Sequence, residues 1–215
     1  MIDAVVFDLD GVLVDSEQIW DDVRVELVRD AGLPFPPEAT RAMMGMSSPE
    51  WSRYLVEQVG LPGTPEEANA AVVERMLERY AGGPPLLPGS VEAVRRMGDR
   101  WPLAIASSSN RELIDVVLDA AGLARFVQVS VSSEEVARGK PAPDVYLEAT
   151  RRLGVEPAHA AAVEDSHNGI RSAKAAGLRV VAIPNLHFPP DAESLALADV
   201  VLRSIGELTV DVVDG

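Results

Sequence analysis

Cysteine is absent from the 215 residues, which excludes both a disulfide framework and a thiolate metal site. Lysine is almost absent as well, with only Lys140 and Lys174, and no Lys/Arg cluster stands anywhere in the chain. Against 34 acidic residues there are 19 basic ones, for a net charge of −15 and a pI near 4.5. Such a surface repels nucleic acid and anionic lipid, so neither is expected as a partner. No apolar run approaches bilayer length, so no membrane span is expected. The start, Met1-Ile2-Asp3, lacks the positive charge of a secretory signal, and a cytoplasmic protein is expected. With so few cations, an anionic small molecule needs a bound cation or one focused charge to be held.

What the chain does contain is a series of short, continuous apolar runs. Ala4–Phe7 ends in Asp8-Leu9-Asp10-Gly11, Leu103–Ala106 ends at Ser107, Ala160–Val163 at Glu164-Asp165, and Val180–Ile183 at Pro184. Val127–Val131 and Val200–Leu202 are weaker strand candidates. Runs of this kind fit strands buried on both faces of a parallel sheet. Helical patterns alternate with them: Leu113, Val116, Val117 and Ala120 before Gly122, Pro143 through Tyr146, Leu147 and Thr150 to Gly154, and Ile170, Ala173 and Ala176 before Gly177. The expected fold is α/β, an open parallel Rossmann-like sheet with helices on both faces.

Residues 15–82 read differently, as helix throughout. Asp15 with Gln18 is a candidate cap for a helix carrying Ile19, Val23 and Leu27 and ending near Gly32-Leu33-Pro34. Ser48-Pro49 opens another with Trp51, Leu55 and Val59, and Thr64-Pro65-Glu66-Glu67 is a capping box ahead of Ala68, Val72, Met76 and Tyr80. The expectation is a small all-helical cap domain at 15–82 inserted into an α/β core of 1–14 and 83–215, with Gly82-Gly83-Pro84-Pro85 as the return linker.

Ligands of open parallel sheets bind at the carboxyl ends of the strands. Asp8 and Asp10, Ser107-Ser108-Ser109, and Glu164-Asp165 stand at those ends, and Lys140 follows the Val131 run. One strand-end Asp is ordinarily a turn residue; four such positions along one edge are a site. Gathered carboxylates favour a hard divalent cation with oxygen ligands, and Mg²⁺ suits phosphate chemistry. A lysine neutralises a phosphoryl oxygen or the nucleophilic carboxylate, and a serine before a helix N-terminus grips another phosphate oxygen. A carboxylate nucleophile with a second carboxylate as acid and base completes a phosphoryl-transfer set.

Asp8-Leu9-Asp10-Gly11-Val12, Ser107, Lys140-Pro141-Ala142-Pro143-Asp144 and Glu164-Asp165-Ser166 resemble, in order, the four motifs of the haloacid dehalogenase-like superfamily. The helical insert after the first motif resembles the cap of its β-phosphoglucomutase-like branch. The resemblance implies Asp8 as nucleophile and metal ligand, and Asp10 as general acid and base with its backbone carbonyl on the metal. It also implies Ser107 and Lys140 on the phosphoryl group, Asp165 as metal ligand, and Glu164 as a nearby or water-mediated one. Ser108 joins the candidate phosphate binders. The cap is expected to hinge at Val14-Asp15-Ser16 and Gly82-Gly83, and its Met44–Ser48 turn, through Gly45, Met46 and Ser47, to help select substrate.

Phosphatase action on a small phosphorylated metabolite, a sugar or polyol phosphate, by a monomer using Mg²⁺ is the function these readings support. Asp10 argues against a dehalogenase, whose halide needs no proton, and a cap without lysine argues against a Schiff-base phosphonate hydrolase. A receiver-type signalling domain needs neither an inserted cap nor Asp10. β-Phosphoglucomutase is the main alternative, but the positions where such mutases carry a cap His and Arg hold Trp20 and Ser48 here. Trp20 either faces the cleft or fills the cap interior, while Trp51 and Met76 read as core. His159, His167 and His187 show no ligand spacing. One of the cap arginines Arg24, Arg29, Arg41, Arg53, Arg75 and Arg79 is a candidate for binding an anionic group.

Overall fold

The computed structural model describes residues 1–186 and 188–215; His187 lies outside them. Six strands form one parallel sheet: β1 (Ala4–Phe7), β2 (Leu103–Ser107), β3 (Val127–Ser132), β4 (Ala160–Glu164), β5 (Arg179–Ala182) and β6 (Val200–Val201), in the spatial order β3-β2-β1-β4-β5-β6. The order reverses at β1, so the carboxyl end of that strand sits where doubly wound sheets open a crevice. Alternation along the strands sends two sets of side chains to two layers. Val5, Phe7, Leu103, Ile105, Val163 and Val181 face one core with α5 (Ser90–Gly98) and α6 (Arg111–Ala120). The alanines Ala4, Ala104, Ala106, Ala160 and Ala162 face the other, where their small size lets α7 (Asp144–Leu153) and α8 (His167–Ala175) approach closely. The chain closes with the short helices α9 (Ala192–Leu195) and α10 (Val210–Asp214).

Between β1 and α5 the chain forms only helices: α1 (Glu17–Asp30), α2 (Ala39–Met43), α3 (Ser48–Glu57) and α4 (Pro65–Tyr80). The Thr64 capping box forms as its spacing predicts, Glu67 N donating to Thr64 Oγ1 (3.2 Å) and Thr64 N to Glu67 Oε2 (2.9 Å). Ala68, Val72, Met76 and Tyr80 are the buried face of that helix. Two chain crossings join this layer to the sheet. Asp15 N donates to Pro85 O (2.8 Å) and Leu87 N to Leu13 O (2.9 Å), around an antiparallel bridge between Val14 and Leu86.

Four expectations shift. Asp15 caps nothing: Ser16 occupies the N-cap of α1, and its hydroxyl is drawn to Asp10 instead of to the helix amides. The cap of α3 is Ser47, one residue earlier than expected, because Glu50 three residues on reaches back to it. The buried face of α6 is Leu113, Ile114, Val117 and Leu118, while Ala120 is exposed. Helix α5 is not among the helical patterns read from the sequence, whereas α2 falls inside the 15–82 stretch expected to be helical throughout.

Candidate active site

The four strand-end positions meet in one place. Asp8 follows β1 directly and is almost fully buried, as are Lys140, Glu164 and Asp165. Lys140 Nζ donates to Asp8 Oδ1 (2.8 Å) and to Glu164 Oε1 (2.6 Å), bridging the ends of β1 and β4. Glu164 is held from every side: the Tyr146 hydroxyl donates to Oε1 (2.7 Å), and Asp165 N to Oε2 (3.1 Å). Gly169 is obligatory here, because a Cβ at that position would lie 1.9 Å from the Glu164 carboxylate. Gly11 is obligatory in the same way: its φ is +76°, and a Cβ would sit 1.8 Å from Asp165 Oδ2.

Carboxylate oxygens of Asp8, Glu164 and Asp165 all lie within 4.8 Å of one another. Burial pushes the Asp8 carboxyl up to about 8, Lys140 pulling it down and Glu164 and Asp10 adding to the rise. Burial also drives Asp165 well above the carboxylate range, reinforced by Glu164 and Asp8. Burial alone would lower Lys140, but the charges of Asp8 and Glu164 outweigh it and hold the ammonium above its ordinary value. Carboxylates this crowded, with one ammonium among them, call for further positive charge. Oxygen donors at this spacing suit a hard divalent cation such as Mg²⁺. Glu164 is already committed to Lys140, Tyr146 and a backbone amide, whereas Asp8 meets Lys140 and Asp165 meets Asn185, so Asp8 and Asp165 would be the freer of the three to hold an ion.

Asp10 stands two residues on, with four donors around its carboxylate. Ser16 Oγ and Trp20 Nε1 (3.1 Å) donate to Oδ1, and Ser109 Oγ (2.6 Å) and Ser107 Oγ (3.5 Å) to Oδ2. Trp20 therefore faces the cleft and fills the helical layer at once: it is buried, bonded to Asp10, and packed on Trp51 at 6.0 Å between ring centroids. Ser107 lies beneath the cleft, where its hydroxyl accepts from Ser109 N (3.0 Å). Ser108 and Ser109 line the cleft, and Ser108 Oγ is buried with no hydrogen-bond partner among the described residues.

Asp8, Asp10, Lys140, Asp165, Trp20, Gly45 and Met46 line the same cleft, together with Glu17, Arg24, Met43, Met44 and Trp51. Its free volume, about 60 Å³, holds only a few waters, well short of the roughly 300–1,000 Å³ of small-molecule pockets. The helical layer is shut over the sheet edge by polar contacts. Ser48 Oγ donates to Asn110 Oδ1 (2.9 Å), Asn110 Nδ2 to Asn69 Oδ1 (3.1 Å), and Asn168 Nδ2 to Met44 O (3.3 Å). Ser47 is a correction: it does not line the cleft. Its hydroxyl bonds Glu50 (2.6 Å) and its Cβ packs so closely on Gly139 that a side chain there would collide, so it seats the helical layer beside Lys140.

The sequence reading places Ser109 at a strand end without a role of its own, does not single out Glu17 or Tyr146 as site residues, and places Trp51 only in the core. Glu17, Trp20 and Arg24 recur at i, i+3 and i+7, so an acid, an aromatic and a base share one face of α1. That spacing was the available signal. His159 is exposed beside Asp3, and His167 borders a separate surface groove, so neither joins the site.

A family model for haloacid dehalogenase-like hydrolases matches residues 2–177. Hexitol phosphatase B of Escherichia coli K12 is 32% identical over 215 residues, covering 96% of this chain and 94% of its own. The crystal structure of CbbY from Rhodobacter sphaeroides in complex with phosphate superposes with a TM-score of 0.89 at 30% identity, each chain covered completely. β-Phosphoglucomutase from Clostridium difficile shares the fold, with a TM-score of 0.83 at 19% identity over 100% of this chain and 96% of that one.

Proposed function

The chain belongs to the haloacid dehalogenase-like hydrolase family, and we propose that it is a Mg²⁺-dependent phosphatase of a small sugar or polyol phosphate, working through Asp8. The observation that carries this reading is the convergence of Asp8, Asp10, Lys140 and Asp165 on one closed cleft at the switch point of the sheet. Phosphatase chemistry is also what the name of the E. coli relative describes, with a hexitol phosphate as its substrate class.

Asp8 attacks phosphorus, and the bond from phosphorus to the ester oxygen breaks as an aspartyl-phosphate forms. Asp10, in its acid form, passes a proton to the departing alkoxide. The resulting Asp10 carboxylate then takes a proton from water as that water attacks phosphorus and the Asp8–phosphorus bond breaks, which releases phosphate and restores Asp8. Lys140 keeps Asp8 oriented and offsets charge on the phosphoryl oxygens, while Ser108 and Ser109 meet those oxygens from the β2 side. Asp8, Asp165 and the backbone carbonyl of Asp10 would hold Mg²⁺, with Glu164 behind them. When bound, the ion draws charge from the phosphoryl group and relieves the repulsion among the carboxylates.

Residues 15–82 act in this reading as a cap that opens at the paired crossings near Val14 and Leu86 to admit substrate, since the shut cleft has no room for it. Hydrolysis is favoured over mutase action because Ser48, at the mutase arginine position, is spent on Asn110, and Trp20, at the histidine position, on Asp10. The test is p-nitrophenyl phosphate turnover with and without Mg²⁺ in wild type and Asp8→Asn. Turnover should require Mg²⁺ and vanish in the variant; a variant that keeps wild-type turnover would rule out Asp8 as nucleophile. Adding β-glucose 1-phosphate with a bisphosphate primer reports any mutase activity.

A further inference from the structure

Arg24 is the one charged cap residue buried in the cleft whose guanidinium has no hydrogen-bond partner among the described residues. It is nine-tenths buried, its Nε is shut away from solvent and unpaired among the described residues, and it lies over two indoles, 5.0 Å from the Trp20 ring centroid and 5.1 Å from that of Trp51. Stacking on aromatic faces holds a guanidinium in place while leaving its in-plane donors unused. A buried donor left unmet is costly unless water or a ligand meets it, and here the unmet donor belongs to a residue that lines the cleft. Two turns back on the same helix face, Glu17 lines the same cleft. No hydrogen bond joins the two, although each is the other's electrostatic neighbour.

Building on the phosphatase reading, we propose that Arg24 and Glu17 form the leaving-group subsite and bracket the hydroxyls of an uncharged polyol chain, Arg24 donating to one and Glu17 accepting from another. Hydroxyl groups both donate and accept, which is what an acid and a base separated by a gap can satisfy together. Charge argues against a second anionic group. Acidic side chains outnumber basic ones in the cleft lining, four (Asp8, Asp10, Glu17 and Asp165) to two (Lys140 and Arg24), and Lys140 is already bridged between Asp8 and Glu164, so a second anionic group finds no unopposed positive charge there. Burial, with Asp10 nearby, pushes Glu17 up to about 7, so near neutral pH it can serve a hydroxyl as acceptor or as donor. Burial also lowers Arg24 to about 10, which leaves it charged at neutral pH. The other cap arginines are exposed or already paired: Arg75 with Asp30 and Arg79 with Glu26.

The experiment compares kcat/KM for sorbitol 6-phosphate, p-nitrophenyl phosphate and fructose 1,6-bisphosphate in wild type, Arg24→Gln, Arg24→Lys, Arg24→Met and Glu17→Gln, each checked for folding by circular dichroism. Arg24→Gln should lower the polyol-to-aryl ratio on the order of 30-fold, as expected for losing hydrogen bonds from a charged donor. Lysine, lacking the planar fork, should restore little of it. Glu17→Gln should lower the ratio less, by roughly 5-fold. Arg24→Met keeps a long stem against the indoles and replaces the Gln variant if that one does not fold. An unchanged ratio in every Arg24 variant overturns the subsite while the phosphatase reading stands. A wild type that prefers the bisphosphate, with that preference lost in Arg24→Gln, overturns it in favour of a second-anion site. A wild type that turns over none of the three esters overturns the phosphatase reading itself.

Discussion

Tyr146→Phe removes one oxygen from the interior and tests how the site is held. The Tyr146 hydroxyl donates to Glu164 Oε1 at 2.7 Å, both side chains are fully buried, and Glu164 in turn grips the lysine that orients Asp8. The phenyl ring keeps its packing under Lys140 Nζ, 5.1 Å from the ring centroid, so the change isolates the hydrogen bond. A buried bond to a charged acceptor contributes about 1.5–3 kcal/mol, and about 2 kcal/mol corresponds to a Tm drop of roughly 4–8 °C for a chain of this size. Calorimetry at pH 7 should show that drop, and kcat for p-nitrophenyl phosphate should fall with KM little changed, because Lys140 loses its fixed abutment without any loss of substrate contact. A Tm within about 1 °C of wild type would refute the claim that Glu164 depends on Tyr146.

Two further perturbations follow from the same geometry. Gly11→Ala puts a Cβ 1.8 Å from Asp165 Oδ2 at a backbone φ of +76°, so Asp165 must move. Activity should fall on the order of 100-fold, as for misplacement of about 1 Å, and a variant that folds with wild-type kcat would contradict the close packing. The effect of pH on the metal response has a definite sign. Asp8 is raised from 3.8 to about 8 on folding, so its contribution to the stability of the metal-free protein is present below pH 4 and lost as pH rises through 8. Added Mg²⁺ competes with the proton for that carboxylate, and the Tm gain from 5 mM Mg²⁺ should therefore be larger at pH 8 than at pH 5.5. A gain that is equal, or larger at the lower pH, would count against Asp8 as a metal-linked group.

The strands and the core motifs were legible because burial on both faces leaves short apolar runs, and because the polar residues that end those runs share one edge of a parallel sheet. The Thr64 box and the α4 face were legible through local spacing. What periodicity does not carry is the direction in which a buried polar group finds its partner. Tyr146 reads as a packing residue in a helix stripe, yet its hydroxyl ends on a carboxylate 18 positions away. Ser47 reads as a turn residue near substrate, yet local capping chemistry claims it. Trp51 was assigned to the core and does lie there, but its ring face also walls the cleft through Arg24. Long-range partners of this kind depend on how the helical layer docks, which no window of sequence encodes.

That docking also bears on the chemistry. Of the four donors to the Asp10 carboxylate, Ser107 and Ser109 come from the sheet edge, while Ser16 and Trp20 come from the start of α1. If residues 15–82 swing away, Asp10 keeps its sheet-side bonds and loses the two from the helical layer, so its carboxyl is freed to rotate and meets water. In the proposed mechanism, the acid would thus be fully positioned only when the layer is shut. The same helix carries Glu17 and Arg24 along the cleft. In the proposed subsite, a substrate whose hydroxyls meet those two residues would favour closure, and closure would set Asp10. A phosphate ester without such hydroxyls would still reach Asp8 but would hold the acid in place for less of the time. Selectivity should therefore be expressed in kcat as well as in KM, because recognition and protonation share one helix.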